Sequence, residues 1–245
     1  MNGGYQRILL KLSGETLKST AQGLDPDTVL AVARQIRGET AGGTQLALVI
    51  GAGNLFRGLA ASNHGLTRAN ADTIGMLATV MNALAMADAL EAAGQPARVQ
   101  SAIPVPGAAD PFDRRRAIAH LEAGRVVIFA GGTGHPFFTT DTTAALRACE
   151  IGAEAIFKAT KVDGIFTADP KKHPEAKRYR RLTYADALAQ RLEVMDATAF
   201  SLCRDNHLPT LVFNFFRPDG LRRALAGDLT FATAVGNGPT ELDAG

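Results

Sequence analysis

Three lysines, one arginine and one aspartate fall where apolar runs give way to glycine and hydroxyl residues. The first run ends Leu10-Lys11-Leu12-Ser13-Gly14-Glu15. A lysine at the carboxyl end of a strand can aim a fixed cation at phosphate oxygens, and Gly14 lets backbone amides come close. Taken alone, Lys11 reads more readily as a surface lysine before a turn. The second run ends Ile50-Gly51-Ala52-Gly53-Asn54-Leu55-Phe56-Arg57-Gly58. Glycine-loop amides with one guanidinium suit a phosphate, which arginine binds bidentately. By itself the stretch could be no more than a turn.

The third run leads into Gly131-Gly132-Thr133-Gly134-His135-Pro136-Phe137-Phe138-Thr139-Thr140-Asp141. Glycines and hydroxyls before a helix start favour an anion. Asp141 would repel it. Three readings stay open: Asp141 caps the helix, holds neighbouring lysines in place, or meets magnesium. The fourth run ends Phe157-Lys158-Ala159-Thr160-Lys161-Val162-Asp163-Gly164, then Phe166 and Asp169. These suit a nucleotide, or a basic loop with two turns.

Joint placement is what counts. Phosphoryl transfer asks a protein for positioning and positive charge more than for covalent chemistry. Four strand ends offering cations, amides and hydroxyls to one crevice match that demand. Other chemistries lack their residues. No GxxxxGK[ST] is present, and Gly51-Ala52-Gly53 lacks the third glycine of a dinucleotide fingerprint. There is no HExxH and no GxSxG.

These ends need a frame. Strands are expected at Ile8–Leu12, Gln45–Ile50, Ala97–Gln100, Val126–Ala130, Ala155–Ala159, Leu211–Phe213 and Phe231–Val235. Helices are expected from Pro26, capped by Asp25, to about Ala41, and at Asn70–Ala93, Arg114–Ala123, Asp141–Ile151, Thr183–Gln190 and Asp196–Asn206. The alternation predicts an α/β protein: a three-layer αβα sandwich around a largely parallel sheet, with ligands at the carboxyl ends of the strands. The 245 residues fit one domain.

The whole chain adds limits. With 46% hydrophobic residues it can bury a large core, and a net charge of +2 gives no drive toward nucleic acid or anionic membrane. The apolar stretch Ala71–Ala93 carries Asp72, Asn82, Asp88 and Glu91, which argues against a membrane span. It reads as a core helix with a dimer face. Two cysteines without CxxC suggest a reducing, cytoplasmic compartment. Lys171–Arg181 reads as a solvated basic loop.

The same residues resemble the amino-acid-kinase superfamily, and within it the bacterial uridylate kinases. The resemblance lies in Arg7–Glu15, Gly53–Gly58, Gly75-Met76-Leu77-Ala78-Thr79-Val80-Met81-Asn82, Ser101–Pro104, Pro136–Asp141, Lys158-Ala159-Thr160-Lys161-Val162-Asp163-Gly164 and Phe213-Asn214. It spans nearly the whole chain in order. It implies magnesium-dependent transfer of the ATP γ-phosphoryl to UMP, giving UDP, in pyrimidine nucleotide synthesis, with an acceptor-binding part over roughly 1–150 and an ATP-binding part over roughly 151–245.

By position it implies a catalytic group of Lys11, Arg57, Asp141 and a lysine of the Lys158/Lys161 pair, Lys161 being the expected one. Lys11, Leu12, Ser13, Gly14, Gly53, Arg57, Thr160, Phe166 and Asp169 would contact ATP. Ala52, Asp72 and the segment Thr133, Gly134, His135, Pro136, Phe137, Phe138, Thr139 and Thr140 would contact UMP. No residue is assigned to a protein-held metal; Mg2+ would come with ATP. The resemblance further implies a homohexamer with allosteric GTP and UTP, Arg98 and Arg125 falling where GTP contacts are expected.

Two departures stand out. Ala52 replaces a glycine usual in this loop, and would be strained if φ were positive. His135 replaces a usual asparagine; imidazole still donates one hydrogen bond, and its titration would make UMP affinity depend on pH. The competing functions are a superfamily kinase with a carboxylate or carbamate acceptor, and a non-catalytic relative that binds a nucleotide or oxyanion.

Overall fold

The computed structural model describes residues 5–19, 23–40, 42–56, 65–170, 172–190, 192 and 194–243. Its strands are β1 (Arg7–Leu12), β2 (Gln45–Ile50), β3 (Ala97–Ser101), β4 (Asp110–Pro111), β5 (Val126–Ala130), β6 (Ala155–Thr160), β7 (Tyr179–Thr183), β8 (Thr210–Asn214), β9 (Ala232–Gly236) and β10 (Glu241–Leu242). The described helices are α1 (Pro26–Thr40), α2 (Arg68–Ala92), α3 (Arg114–Glu122), α4 (Thr140–Ile151), α5 (Tyr184–Ala189), α6 (Ala197–Asp205) and α7 (Gly220–Leu225). A single 3-10 turn, Gly14–Leu17, follows β1.

All ten strands form one sheet in the order β10-β7-β9-β8-β6-β1-β2-β5-β3-β4. From β4 to β8 every neighbouring pair is parallel. β9 then reverses against β8, β7 runs parallel to β9, and β10 is antiparallel to β7. The carboxyl ends of β1, β2, β3, β5, β6 and β8 therefore lie along one edge. Every phosphate-suited stretch of the sequence begins there.

Side-chain alternation sorts the core into two layers. Ile8, Leu10 and Leu12 of β1 and Phe157 of β6 pack with Val32 and Ile36 of α1, Met86 and Leu90 of α2, and Leu221 of α7. Leu9 and Ile156 point the other way, into Leu121 of α3, Ala144 and Ala148 of α4, Tyr184 of α5 and Phe200 of α6. By the same alternation Lys11 and Lys158 face the α4 side. The expected sandwich is present, with helices on both faces.

α2 has the length and apolarity of a membrane-crossing helix. Its inner side packs into the core through Val80, Ala83, Met86 and Leu90, and Asn82 is fully buried and hydrogen-bonded. It is a core helix of this fold. Both cysteines are free thiols, Cys149 half-buried and Cys203 buried.

The basic segment 171–181 departs from expectation. Its last three residues open β7, and Tyr179 in the strand and Arg178 just before it are buried. The Arg178 guanidinium donates to the carbonyls of Ala232 and Leu229 and to Asp243. A cation so paired can be buried, so charge in the sequence concealed a strand. β4, β10 and α7 were also unforeseen; the strands have two residues each, and α7 has six.

Candidate active site

Lys11 and Lys158 occupy matched positions on the adjacent parallel strands β1 and β6. Two ammoniums in register on one face repel each other, and burial makes the repulsion worse. Asp141, in the first turn of α4, lies between them. Its Oδ1 is 2.8 Å from Lys11 Nζ and its Oδ2 is 2.7 Å from Lys158 Nζ. The three side chains are only 12%, 13% and 15% exposed. At 2.8 Å the Lys11 contact is a direct ion pair, as close as the one to Lys158.

Burial pushes the Asp141 carboxyl up, but Lys11 and Lys158 together outweigh it and hold its pKa below the ordinary value. For Lys158, burial and then the neighbouring Lys11 push the pKa down to about 8, against the pull of Asp141. Lys158 is further fixed by donating to the Val194 carbonyl. The helix cap is Thr139, whose hydroxyl accepts from the amides of Asp141 and Thr142. Asp141 is thus freed from capping and clamps both lysines.

Asp196 braces this corner. It accepts from the hydroxyls of Thr139 and Thr142, while capping α6 through the Ala199 amide. The sequence marked Asp196 only as a helix start. Its second task depends on α4 and α6 packing together, which no local pattern reveals.

The loop after β2 and the turn after β1 meet closely. A Cβ on Gly14 would come within 2.4 Å of Asn54 Oδ1 and 2.5 Å of the Gly51 carbonyl. No side chain fits there, so Gly14 is required by contact as well as by any ligand. Leu12 is fully buried and contributes its carbonyl, which accepts from the Gly51 amide at 2.9 Å. Ser13 caps the 3-10 turn. Ala52 is not among the described non-glycine residues with positive φ, which are Phe137, His207 and Asp219. Its methyl is therefore unstrained. Arg57 lies outside the described residues.

Two cavities flank this centre. The first, about 280 Å³, is lined by Ala52, Asp72, His135, Phe138, Thr139 and Thr140 among the expected acceptor-side residues, and by Gly53, which was expected to contact ATP. Phe56, Ala71, Gly75, Met76, Thr79 and Gly132 complete it. Asp72 is an expected contact; Gly75, Met76 and Thr79 share its helical stripe of α2, a signal available in the sequence but read there as core. Thr133, Gly134, Pro136 and Phe137 do not line it. Thr133 closes a local turn with His135. Phe137 holds φ at +73°, and its amide donates to Asp72 Oδ2 at 2.8 Å. Asp72 also pairs with Arg68.

The second cavity, about 420 Å³, opens at the ends of β1, β6 and β8. Glu15, Thr16, Lys18, Lys161, Asn214, Phe216 and Arg217 line it. Lys161 is thus placed in this cavity, while Lys158 takes the position beside Asp141. The Thr160 hydroxyl is committed to the carbonyls of Val162 and Phe213. Phe166 is half-buried and bridges to Arg178 across a strand-like contact, and Asp169 is exposed beside a turn.

The match to known proteins agrees with this geometry. Residues 6–214 match the model of the amino acid kinase family. The structure superposes on that of UMP kinase from Bacillus anthracis with a TM-score of 0.93 and 39% identity, covering 98% of this chain and 100% of that one. UMP kinase from Ureaplasma parvum gives 0.89 and 36%, covering 95% and 99%. The chain belongs to the amino acid kinase family, in the branch of the UMP kinases.

Proposed function

We propose that the chain transfers the γ-phosphoryl group of ATP to UMP, giving ADP and UDP. The observation that carries this is the Lys11–Asp141–Lys158 cluster, with one cavity on the α2 and acceptor-segment side and another at the ends of β6 and β8. Two solved relatives, each matched over nearly the whole chain, are UMP kinases.

UMP occupies the first cavity, built from residues 52–140. ATP occupies the second, where Lys161 and Arg217 supply charge and Phe216, 53% exposed, offers an aromatic face. A UMP phosphate oxygen attacks the γ-phosphorus, and the bond to the β–γ bridging oxygen breaks. The UMP phosphate is already ionised, so no general base is needed. Lys11 and Lys158 neutralise charge building on the transferring group and the leaving ADP. Asp141 keeps the two cations together without removing a proton.

Magnesium enters with ATP. Among the described residues no three His, Cys, Asp or Glu side chains form a cation cage. Nucleotide phosphates commonly hold most of the ion, with one or two protein carboxylates. Asp141 is the carboxylate at this centre that would meet the ion. The ion would supply further charge neutralisation on the phosphates.

A cytoplasmic homo-oligomer, a hexamer by resemblance, is part of the proposal. Ile74, Leu77 and Met81 form an exposed apolar stripe on α2 suited to a second copy. Control by GTP and UTP is proposed at the outer edge, where Arg98 lines one cavity and Arg125 contacts His120.

The test is ADP release with ATP and magnesium, offering UMP, CMP, dUMP, AMP, aspartate and N-acetylglutamate in parallel. Turnover with UMP supports the reading. Turnover with a carboxylate acceptor, or none with any acceptor, overturns it.

A further inference from the structure

Asn54 and Asn82 are the most deeply buried amide side chains beside the site, both with no exposed surface. Asn54 is in the loop after β2, and Asn82 is on the inner side of α2. Their amides pair reciprocally. Asn54 Nδ2 donates to Asn82 Oδ1 at 3.0 Å, and Asn82 Nδ2 donates to Asn54 Oδ1 at 2.8 Å. Each has a second donation to backbone. Asn82 Nδ2 reaches the Gly51 carbonyl at 2.7 Å, and Asn54 Nδ2 reaches the Gly23 carbonyl at 3.2 Å. Turning either amide over would set oxygen against a carbonyl oxygen, so the network fixes both orientations.

Fold stability alone does not call for this pair. Burying two primary amides is costly unless they are bonded, and an apolar pair of similar shape would be nearly neutral. What an apolar pair could not do is hold the Gly51 carbonyl and thread Asn54 onto a helix. That hold has consequences one step away. Ala52 and Gly53 line the acceptor cavity, and the Gly51 carbonyl and Gly53 amide press on the space where Gly14 would carry a Cβ. A shift of the loop by a fraction of an ångström therefore moves the acceptor wall and the turn after Lys11 together. α2 registers the neighbouring loop as well, because Thr79 Oγ1 accepts from the Gly131 amide at 2.9 Å.

We infer that Asn54 and Asn82 are positioning residues for phosphoryl transfer, acting as one clasp that sets the loop 51–54 against Gly14. The inference rests on the kinase reading above. Neither side chain lines the two substrate cavities, so neither binds nucleotide directly. Their contribution is to geometry at the transferring phosphoryl, where small displacements are expensive.

The experiment compares Asn54→Ala, Asn82→Ala, their double variant and Asn82→Asp with the wild type. For each, kcat and both KM values are measured per folded molecule, and backbone hydrogen exchange is followed over residues 51–56. Asn82→Asp keeps the volume and the acceptor for Asn54 but loses both donations; it carries the test where alanine fails to fold. The expected result is a fall in kcat of about tenfold or more, with each KM within about threefold. The double variant should be no worse than the worse single variant, because one clasp is broken either way. Exchange over 51–56 should quicken while β2 stays protected.

A kcat per folded molecule within about twofold of wild type, or losses that multiply in the double variant, would overturn the inference. Unchanged exchange in the loop would overturn it as well. An inactive wild type would instead defeat the kinase reading, and the exchange result would still judge the clasp.

Discussion

Lys11 and Lys158 face each other in register on neighbouring parallel strands, and Asp141 is the only charge of opposite sign in ion-pair contact with either among the described residues. The arrangement stores two cations at a strand edge where water would otherwise be needed to keep them apart. It also fixes both ammoniums before any phosphate arrives, which is the condition for electrostatic preorganisation.

Asp141→Asn keeps the shape and removes the neutralising charge. The two lysines then repel without a counterion. The expected outcome is a fall in kcat on the order of a hundredfold, together with a lower Tm, because two buried like charges remain. Steady-state kinetics and thermal unfolding check this. A variant with full activity would remove Asp141 from its organising role.

Lys158 has its pKa pushed down to about 8. In the free enzyme it loses its proton as pH rises through that value, so kcat/KM for ATP should fall on the alkaline side of about 8. Bound phosphates favour the charged form, so the matching fall in kcat should lie at higher pH. Lys158→Arg, which stays charged, should abolish this limb while lowering activity overall. The stability sign is opposite to that of activity. Between about 8 and the ordinary lysine value the unfolded chain binds more protons than the folded one, so the contribution of Lys158 to stability rises with pH. A pH profile of kcat/KM for both enzymes is the check.

Lys158 and Lys161 are three residues apart but differ in surroundings. Lys158 is clamped by Asp141, and Lys161 lines the cavity at the ends of β6 and β8. Lys158→Met should therefore act mainly on kcat. Lys161→Met should act mainly on the KM for ATP, by about tenfold. The reverse pattern would exchange their roles.

Asp72 holds the acceptor segment by accepting from the Phe137 amide, whose residue sits at φ +73°. Positive φ for a phenylalanine costs free energy and needs such a restraint. Asp72→Ala should raise the KM for UMP by about tenfold or more and leave that for ATP within about twofold. Separate titration of each nucleotide shows whether the effect is one-sided.

Much of this was legible in the sequence because the parallel strands near the site are short apolar runs that end in glycine. That pattern located β1, β2, β5 and β6 and, through them, Lys11, Gly14, Gly53 and Asp141. The choice between Lys158 and Lys161 was not legible. It depends on side-chain alternation in β6 and on its register with β1, and the pairing partner of a strand is not written locally. The cavity face of α2 was visible as the spacing 72, 75, 76 and 79, but apolar residues at helical spacing usually signal core. Arg178 concealed β7 because its partners come from residues 229, 232 and 243. Asp196 and the Asn54–Asn82 clasp escaped for the same reason: each is defined by a contact between distant segments.

The most direct measurement is single-turnover transfer from ATP labelled on the γ-phosphoryl, with UMP as acceptor, by the wild type and by Lys158→Met at matched ATP occupancy. The account predicts labelled UDP from the wild type, and the same product formed about a hundredfold more slowly by the variant. Label released as inorganic phosphate by the wild type, or transferred to UMP at an unchanged rate by the variant, would contradict it.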